Sequence, residues 1–112
     1  MADIEFISIL TLIQSPEKYH HKRVRIVALC TLEFEGKAMW VSKEALDKAI
    51  TKDAVWLDVN LDDKAKKLDR RVVIVEGTFD AMRKGHLGMY SGMIGDVTRV
   101  DLWEKETPGG KF

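Results

Sequence analysis

The feature that most constrains the fold is a long strand pattern at residues 22–34 (KRVRIVALCTLEF). This run is rich in β-branched and apolar residues and begins with a polar–apolar alternation, as a strand with one buried face does. The next three residues, 35–37 (EGK), are typical of a tight turn, and residues 38–42 (AMWVS) predict the returning strand of a hairpin. The 112-residue chain therefore has room for one domain built around this hairpin.

Three further extended segments follow the hairpin. The first alternates cleanly, the second is the strongest strand pattern in the chain, and the third is interrupted by Gly92 and Gly95, where we expect bulges or sharp bends. These strands are predicted at residues 54–60, 71–81 and 89–103.

Helical patterns occupy the segments between the strands. Capping residues and apolar spacing predict helices at residues 8–19 (broken near Pro16), 42–50 (capped by Ser42) and 61–71. Residues 1–7 are expected to form a short strand or an ordered leader, and residues 104–112 a flexible tail.

These elements predict a mainly β domain over residues 1–103: a small five-stranded barrel of the oligonucleotide/oligosaccharide-binding (OB) type. It would carry an N-terminal helix and short helices between strands. An α+β sandwich is the alternative architecture.

A set of longer stretches carries a family resemblance: SPEKYHHKRVRIVALCTLEFEG, LEFEGKAMWVSKE, AVWLDV, VIVEGTFDA and KGHLGMYSGMIGDVTRV. Together these resemble a family of short, uncharacterised bacterial OB-fold proteins with a barrel like that of tRNA-anticodon-binding domains. The likeness covers residues 8–103 and implies the fold, with a helix before the first barrel strand. It implies no activity and gives no residue a role, because a fold alone does not set a function.

The charge balance and the N-terminus bear on partners and location. Eighteen basic residues balance eighteen acidic ones, which argues against a protein that depends on phosphate contacts. The first residues (MADIEFISILTLIQ) lack the features of an export signal and are too short an apolar stretch to span a bilayer. A cytoplasmic protein without membrane association is expected, and the single Cys30 suits a reducing compartment.

No pattern of catalytic or metal-binding residues stands out, so a non-enzymatic protein without cofactor or metal is predicted. Cys30 lies within an apolar run and is expected in the core. His20 and His21 are adjacent, which by itself does not direct two rings at one ion, and His86 lies far away. The glycines of residues 85–95 are not followed by the Lys-Ser/Thr pair of a phosphate loop.

The candidate binding residues surround a tryptophan. Trp56 lies on the strand face opposite Val55, Leu57 and Val59; if those residues form the core, Trp56 is displayed, as interface anchors often are. The alternative is that helix 42–50 or the N-terminal helix covers it. A glycine-bounded loop at residues 83–90 offers a second contact surface. The full candidate set is Trp40, Trp56, Asp58, Arg83, Lys84, His86, Met89 and Tyr90.

A protein partner is the favoured ligand class, with a bacterial toxin neutralised by a cytoplasmic immunity protein as one form of it. Single-stranded nucleic acid is second, because basic clusters at residues 20–25, 64–71 and 83–86 accompany several aromatic residues. Those aromatics are Phe34, Trp40, Trp56, Phe79 and Tyr90, of which Phe34 and Trp40 could equally be core residues. A small molecule or sugar is third.

Overall fold

The computed structural model describes residues 4–103, and these form six β-strands and four short α-helices. The strands are β1 (Glu5–Phe6), β2 (Arg23–Glu33), β3 (Gly36–Trp40), β4 (Ala54–Leu57), β5 (Val72–Asp80) and β6 (Met93–Leu102). The helices are α1 (Ile9–Gln14), α2 (Pro16–Tyr19), α3 (Lys43–Asp47) and α4 (Asp63–Lys67). None of the helices described is long and apolar enough to cross a bilayer.

Five of the strands are hydrogen-bonded in a ring. Their order is β2–β3–β4–β6–β5, and β5 pairs back to β2. All neighbours are antiparallel except β4 and β6, which run parallel over two residue pairs. The sixth strand, β1, adds to β2 in parallel. The predicted mainly β architecture is confirmed.

β2 pairs with two different strands of the ring along its length. Residues 23–29 pair with β5, and residues 29–33 pair with β3. Alternate side chains of β2 point into the ring, where each is at least 98% buried because it faces the other strands across the core. This inward row consists of Val24, Ile26, Ala28, Cys30 and Leu32.

The main core fills the inside of the ring, and helices α1 and α4 contribute side chains to it. Its other fully buried members are Leu12, Met39, Val55, Leu57, Val73, Val75, Phe79 and Ile94. A second, smaller apolar cluster lies on the outer face of β3 and β4, formed by Ala38, Trp40, Ala45, Ala54 and Tyr90. The fold therefore buries both faces of these two strands.

The predicted helix starts are confirmed at their caps. The Ser8 side chain accepts a hydrogen bond from the backbone N–H of Thr11, and the Ser42 side chain accepts one from Ala45. The N-terminal helix breaks at Ser15, and Pro16 begins α2 as its first residue, where a proline lacks no needed hydrogen bond.

Several strand boundaries differ from the prediction. The hairpin turn consists of Phe34 and Glu35 because Glu33 pairs with Gly36, so Phe34 lies at the turn and not in the strand. β4 ends at Leu57 rather than at residue 60. The irregularity predicted around Gly95 is present: β6 advances four residues, from Gly95 to Arg99, while β5 advances two. The predicted tail at residues 104–112 lies outside the described residues.

The position of Trp103 at the end of the last predicted strand favours a role in closing one end of the barrel, but the structure places it outside the core. Its ring is half-exposed and meets the Phe6 ring edge-on, with 6.3 Å between the ring centroids. It lies past the end of β6, where its backbone N–H still donates to Val72.

A chain of ion pairs crosses the outside of β2, β5 and β6. Glu76 accepts hydrogen bonds from Arg99 (3.1 Å) and Arg25 (2.9 Å), which flank it on the neighbouring strands. The hydrogen bond from Arg99, followed in size of effect by that from Arg25, holds the pKa of Glu76 below its usual value. Arg99 also donates to Asp101, which accepts a bond from Lys64 and so ties β6 to α4.

We expect Glu76→Gln to lower stability at neutral pH by about 1 kcal/mol, because it removes two charge-assisted hydrogen bonds. The lowered pKa means that Glu76 stabilises the fold fully above its unfolded-state pKa of about 4.3, and that this contribution is lost as pH falls through the lower folded-state pKa. The difference between Glu76→Gln and the unchanged protein should therefore disappear in acid. Urea unfolding at a series of pH values measures it.

Glu44→Gln is the matched control, since Glu44 forms only an exposed pair with Lys48 at 3.0 Å on α3. It should change the unfolding free energy by less than about 0.5 kcal/mol. If both variants respond equally, or if the effect of Glu76→Gln persists in acid, this account of the ion chain is wrong.

Candidate binding face

The outer face of β3 and β4 places each tryptophan opposite an alanine. Ala38 pairs with Trp56, and Trp40 pairs with Ala54. Val55 and Leu57 point into the ring and are fully buried, so Trp56 faces outward as the alternation predicts. The small partners leave room for both indole rings on the outer side of these two strands.

Trp40 is buried beneath this surface, with 4% of its area exposed. Its indole N–H donates to the Thr31 hydroxyl (3.0 Å), which in turn donates to the Gly36 carbonyl (2.6 Å). Every polar atom of this buried group is therefore satisfied, as burial requires. Trp40 supports the surface and is not part of the contact area.

Trp56 is half-buried and surrounded by polar rings and a cation. The His86 ring stacks against it at 6.2 Å between centroids, and the Tyr90 ring meets it at 5.3 Å. The Lys37 ammonium lies 5.6 Å from the indole centroid, a cation–π distance, and also donates to the Val59 carbonyl at 2.8 Å. The loop after β5 therefore covers part of Trp56.

That loop, residues 81–92, is held closely on the strand. Gly85 packs directly on Trp56: a Cβ on Gly85 would lie 2.5 Å from the Trp56 Cβ. Its backbone angles, φ +67° and ψ −150°, are accessible in practice to glycine alone. Backbone N–H groups of Tyr90 and Ser91 donate to Lys84 and Ala54, which closes the loop against β4.

Two turns meet at the end of the ring above Trp56. The β2–β3 turn presents Phe34, 82% exposed, and the loop presents Leu87, 79% exposed. Each turn contains a non-glycine residue with positive φ, Glu35 at +62° and Leu87 at +56°. Glu35 Oε2 and His86 Nε2 lie 3.7 Å apart, and this contact joins the two turns. We call the surface formed by Phe34, Glu35, Trp56, His86 and Leu87 the loop face.

The structure brings only part of the predicted set together. Trp56 contacts both His86 and Tyr90, but Tyr90 is 95% buried, and this burial raises the pKa of its hydroxyl. Met89 is 41% exposed beside them. The others lie apart from the loop face or beneath it: Trp40 is buried, Arg83 turns back toward Asp80 (3.6 Å), Lys84 is exposed, and Asp58 lines a separate cleft.

The separate cleft lies between the end of β4, helix α4 and the second half of β6. Its volume is about 520 Å³. β4 is too short to pair with β6 beyond Ile94, so the segment after β4 and the rest of β6 diverge and leave this space. Its walls carry both signs of charge, from Asp58, Asp62, Lys64, Arg99 and Asp101, above a floor that includes Leu32 and Leu68.

Three side chains that could hold a metal ion meet at the C-terminal end of β5, where the 81–92 loop begins. His20 and His21 lie in the turn after α2, and Asp80 ends β5; one ligand atom from each lies within 4.8 Å of the other two. The spacing of the two histidines does not predict this cluster, because Asp80 is too distant along the chain for any spacing rule to include it.

Most of the loop face is not predicted by the sequence. The pattern predicts Phe34 in the long strand, as a core residue or as a stacking aromatic for nucleic acid. It predicts Glu35 only as part of a turn, and it gives Leu87 no role. The turn is predicted at residues 35–37, one position too late; a turn that begins at residue 34 would have placed Phe34 at the tip of the hairpin. Nothing in the sequence marks Leu87, since its exposure results from loop geometry.

The one candidate nucleophile weighed from the sequence, Cys30, is fully buried inside the ring. Burial raises the pKa of this thiol to about 12, and the thiol donates to the Leu68 carbonyl at 3.2 Å. It is therefore protonated at neutral pH and has no access to a substrate.

Comparison with protein-family models, curated proteins and solved structures found no match.

We expect Gly85→Ala to destabilise the protein by about 1–3 kcal/mol, because the added methyl group meets Trp56 and the backbone angles disfavour it. The indole fluorescence should change as well, since the loop can no longer lie on Trp56. Urea unfolding followed by fluorescence measures both effects. Gly88→Ala is the control: its φ is also positive, at +66°, but its Cβ would meet no atom within 4 Å. Equal costs for the two variants would contradict the proposed packing.

Proposed function

We propose that this chain is a non-enzymatic binding protein of the OB type and that its loop face engages a protein partner. The observation that carries the proposal is the pair of apolar side chains, Phe34 and Leu87, displayed on two turns that the Glu35–His86 contact joins. Burying each of them against a partner would contribute about 1.5–3 kcal/mol.

The ring topology supports the OB assignment. Counted along the chain, β2 to β6 are the first to fifth strands of the ring. The third (β4) runs parallel to the fifth (β6), and α4 lies in the chain between the third and the fourth (β5). OB-type proteins bind ligands on strands 2 and 3 and on the loops that join strands 1–2 and 4–5. Here those elements are β3, β4, the Phe34–Glu35 turn and the 81–92 loop, which build the loop face. This is an analogy of fold, and the family resemblance stays a prediction.

The rigidity of the loop face supports a role in recognition. Leu87 and Glu35 hold left-handed backbone conformations that cost free energy in most residues, and such conformations gather at binding sites. Gly85 packs on Trp56, so the backbone of the loop that carries Leu87 is held against β4 before a partner arrives. An ordered surface loses less conformational entropy on binding.

The charges at the loop face support a protein partner over single-stranded nucleic acid. Two nearby cations already have acidic or carbonyl partners: Lys37 with Val59 and Arg83 with Asp80. The His86 and Tyr90 rings and the Gly85 backbone occupy the surroundings of Trp56, where a base would have to stack. Leu87 offers no stacking surface at all.

A toxin as the partner, and the cytoplasm as the location, stay predictions within this proposal. The net charge of zero and the small single domain suit an immunity protein, and the buried, protonated Cys30 is compatible with a reducing compartment.

The test is affinity capture from a nuclease-treated lysate of the native host with three forms of the protein. They are the unchanged chain, the double variant Phe34→Ser/Leu87→Asn, and the control Leu10→Gln. Asn tolerates the left-handed conformation of residue 87, and Leu10 is an exposed apolar residue on α1 that is not part of the loop face. We expect one stoichiometric protein with the unchanged chain and with Leu10→Gln, and at least a tenfold loss with the double variant, roughly 1.4 kcal/mol or more.

Anisotropy of a labelled single-stranded oligonucleotide completes the test. Binding that falls about a thousandfold or more between roughly 50 and 200 mM salt would replace the protein partner with nucleic acid. The proposal also fails if the unchanged chain captures no protein, or if the double variant captures it equally well. Thermal melts establish that each variant is folded.

A further inference from the structure

We propose that His20, His21 and Asp80 bind a divalent transition-metal ion such as Zn²⁺. The site lies at the base of the 81–92 loop and does not depend on the proposed function of the loop face. Two imidazoles and a carboxylate form a ligand set that suits Zn²⁺ and its neighbours in the first transition row, with further positions left for water.

The backbone holds the three residues together from distant parts of the chain. His21 N–H donates to the Phe79 carbonyl (2.7 Å), and Phe79 N–H donates to the Lys22 carbonyl (3.0 Å), so the turn after α2 is fixed against the end of β5. The left-handed backbone of His21, φ +65°, reverses the chain there and puts its ring beside that of His20. The two ring centroids are 3.7 Å apart.

The separations between ligand atoms suit one ion after small movements. Two ligands at zinc distances of about 2.1 Å can be at most about 4.2 Å apart. His20 Nδ1 and Asp80 Oδ1 are 3.7 Å apart, and no pair in the cluster exceeds 4.8 Å. The stacked His21 ring must tilt so that its lone pair points at the ion. His21 is exposed, so this tilt meets little resistance.

The ion would replace existing hydrogen bonds, which limits its affinity. His20 Nδ1 accepts the Ala81 N–H at 3.0 Å, and Asp80 Oδ1 accepts those of Met82 (2.8 Å) and Arg83 (3.2 Å). The Arg83 side chain, 3.6 Å from Asp80 Oδ2, is also a competing cation, but it is mostly exposed and can turn into solvent. We therefore expect a dissociation constant of the order of micromolar and not nanomolar.

The chain offers a clean test because it contains three histidines and only two of them belong to the site. Isothermal titration of the tag-free protein with Zn²⁺ should give one site, and Mg²⁺ should give none, since Mg²⁺ prefers oxygen ligands. His21→Asn, which keeps the left-handed backbone, and Asp80→Asn, which keeps an oxygen acceptor for Met82 and Arg83, should each weaken binding by about tenfold or more. His86→Asn is the control and should bind as the unchanged protein does.

Two further measurements guard against nonspecific binding and misfolding. Addition of Co²⁺ should broaden the amide NMR signals of residues 20–21 and 80–82 before all others. Zn²⁺ should also raise the melting temperature, because Asp80 joins the two adjacent histidines only in the folded chain. Absence of binding to the folded protein, equal binding by folded His21→Asn, or loss of binding in His86→Asn would overturn the proposal.

Discussion

The pairing of β2 with two different strands is the constraint on which the rest of the structure depends. Leu29 is the residue at which β5 ends its pairing and β3 begins, so one continuous strand connects both sides of the ring. The inward row from Val24 to Leu32 can stay buried over this whole length only if the other strands curl around it. Ring closure is therefore a consequence of burying one long apolar face.

Closure of the ring leaves β3 and β4 with an outer face, and the tryptophans make that face apolar too. Opposing alanines accommodate the rings, α3 covers Trp40, and the 81–92 loop covers part of Trp56. Because the loop must lie on Trp56, its tip is displaced outward and Leu87 becomes exposed. The binding surface proposed here is thus a by-product of covering a second, smaller core.

The candidate site was harder to predict than the fold. Trp56 was correctly placed on the outward face because a strand alternates with period two. The exposure of Tyr90 and Trp40 could not be read in the same way, since it depends on which loop or helix lies over them. The cluster of His20, His21 and Asp80 was missed for a related reason: β2 and β5 are adjacent in space and far apart in sequence.

The sequence by itself determined the elements: the long strand, the hairpin, the capped helix starts at Ser8 and Ser42, and the mainly β class. These follow from local preferences, such as alternation, turn residues and caps, which act over a few neighbouring residues. Only the tertiary structure decided the ring order, the exposure of Phe34 and Leu87, and the meeting of distant side chains. Those properties depend on contacts between segments distant in the sequence, and such contacts leave no local pattern in a single chain.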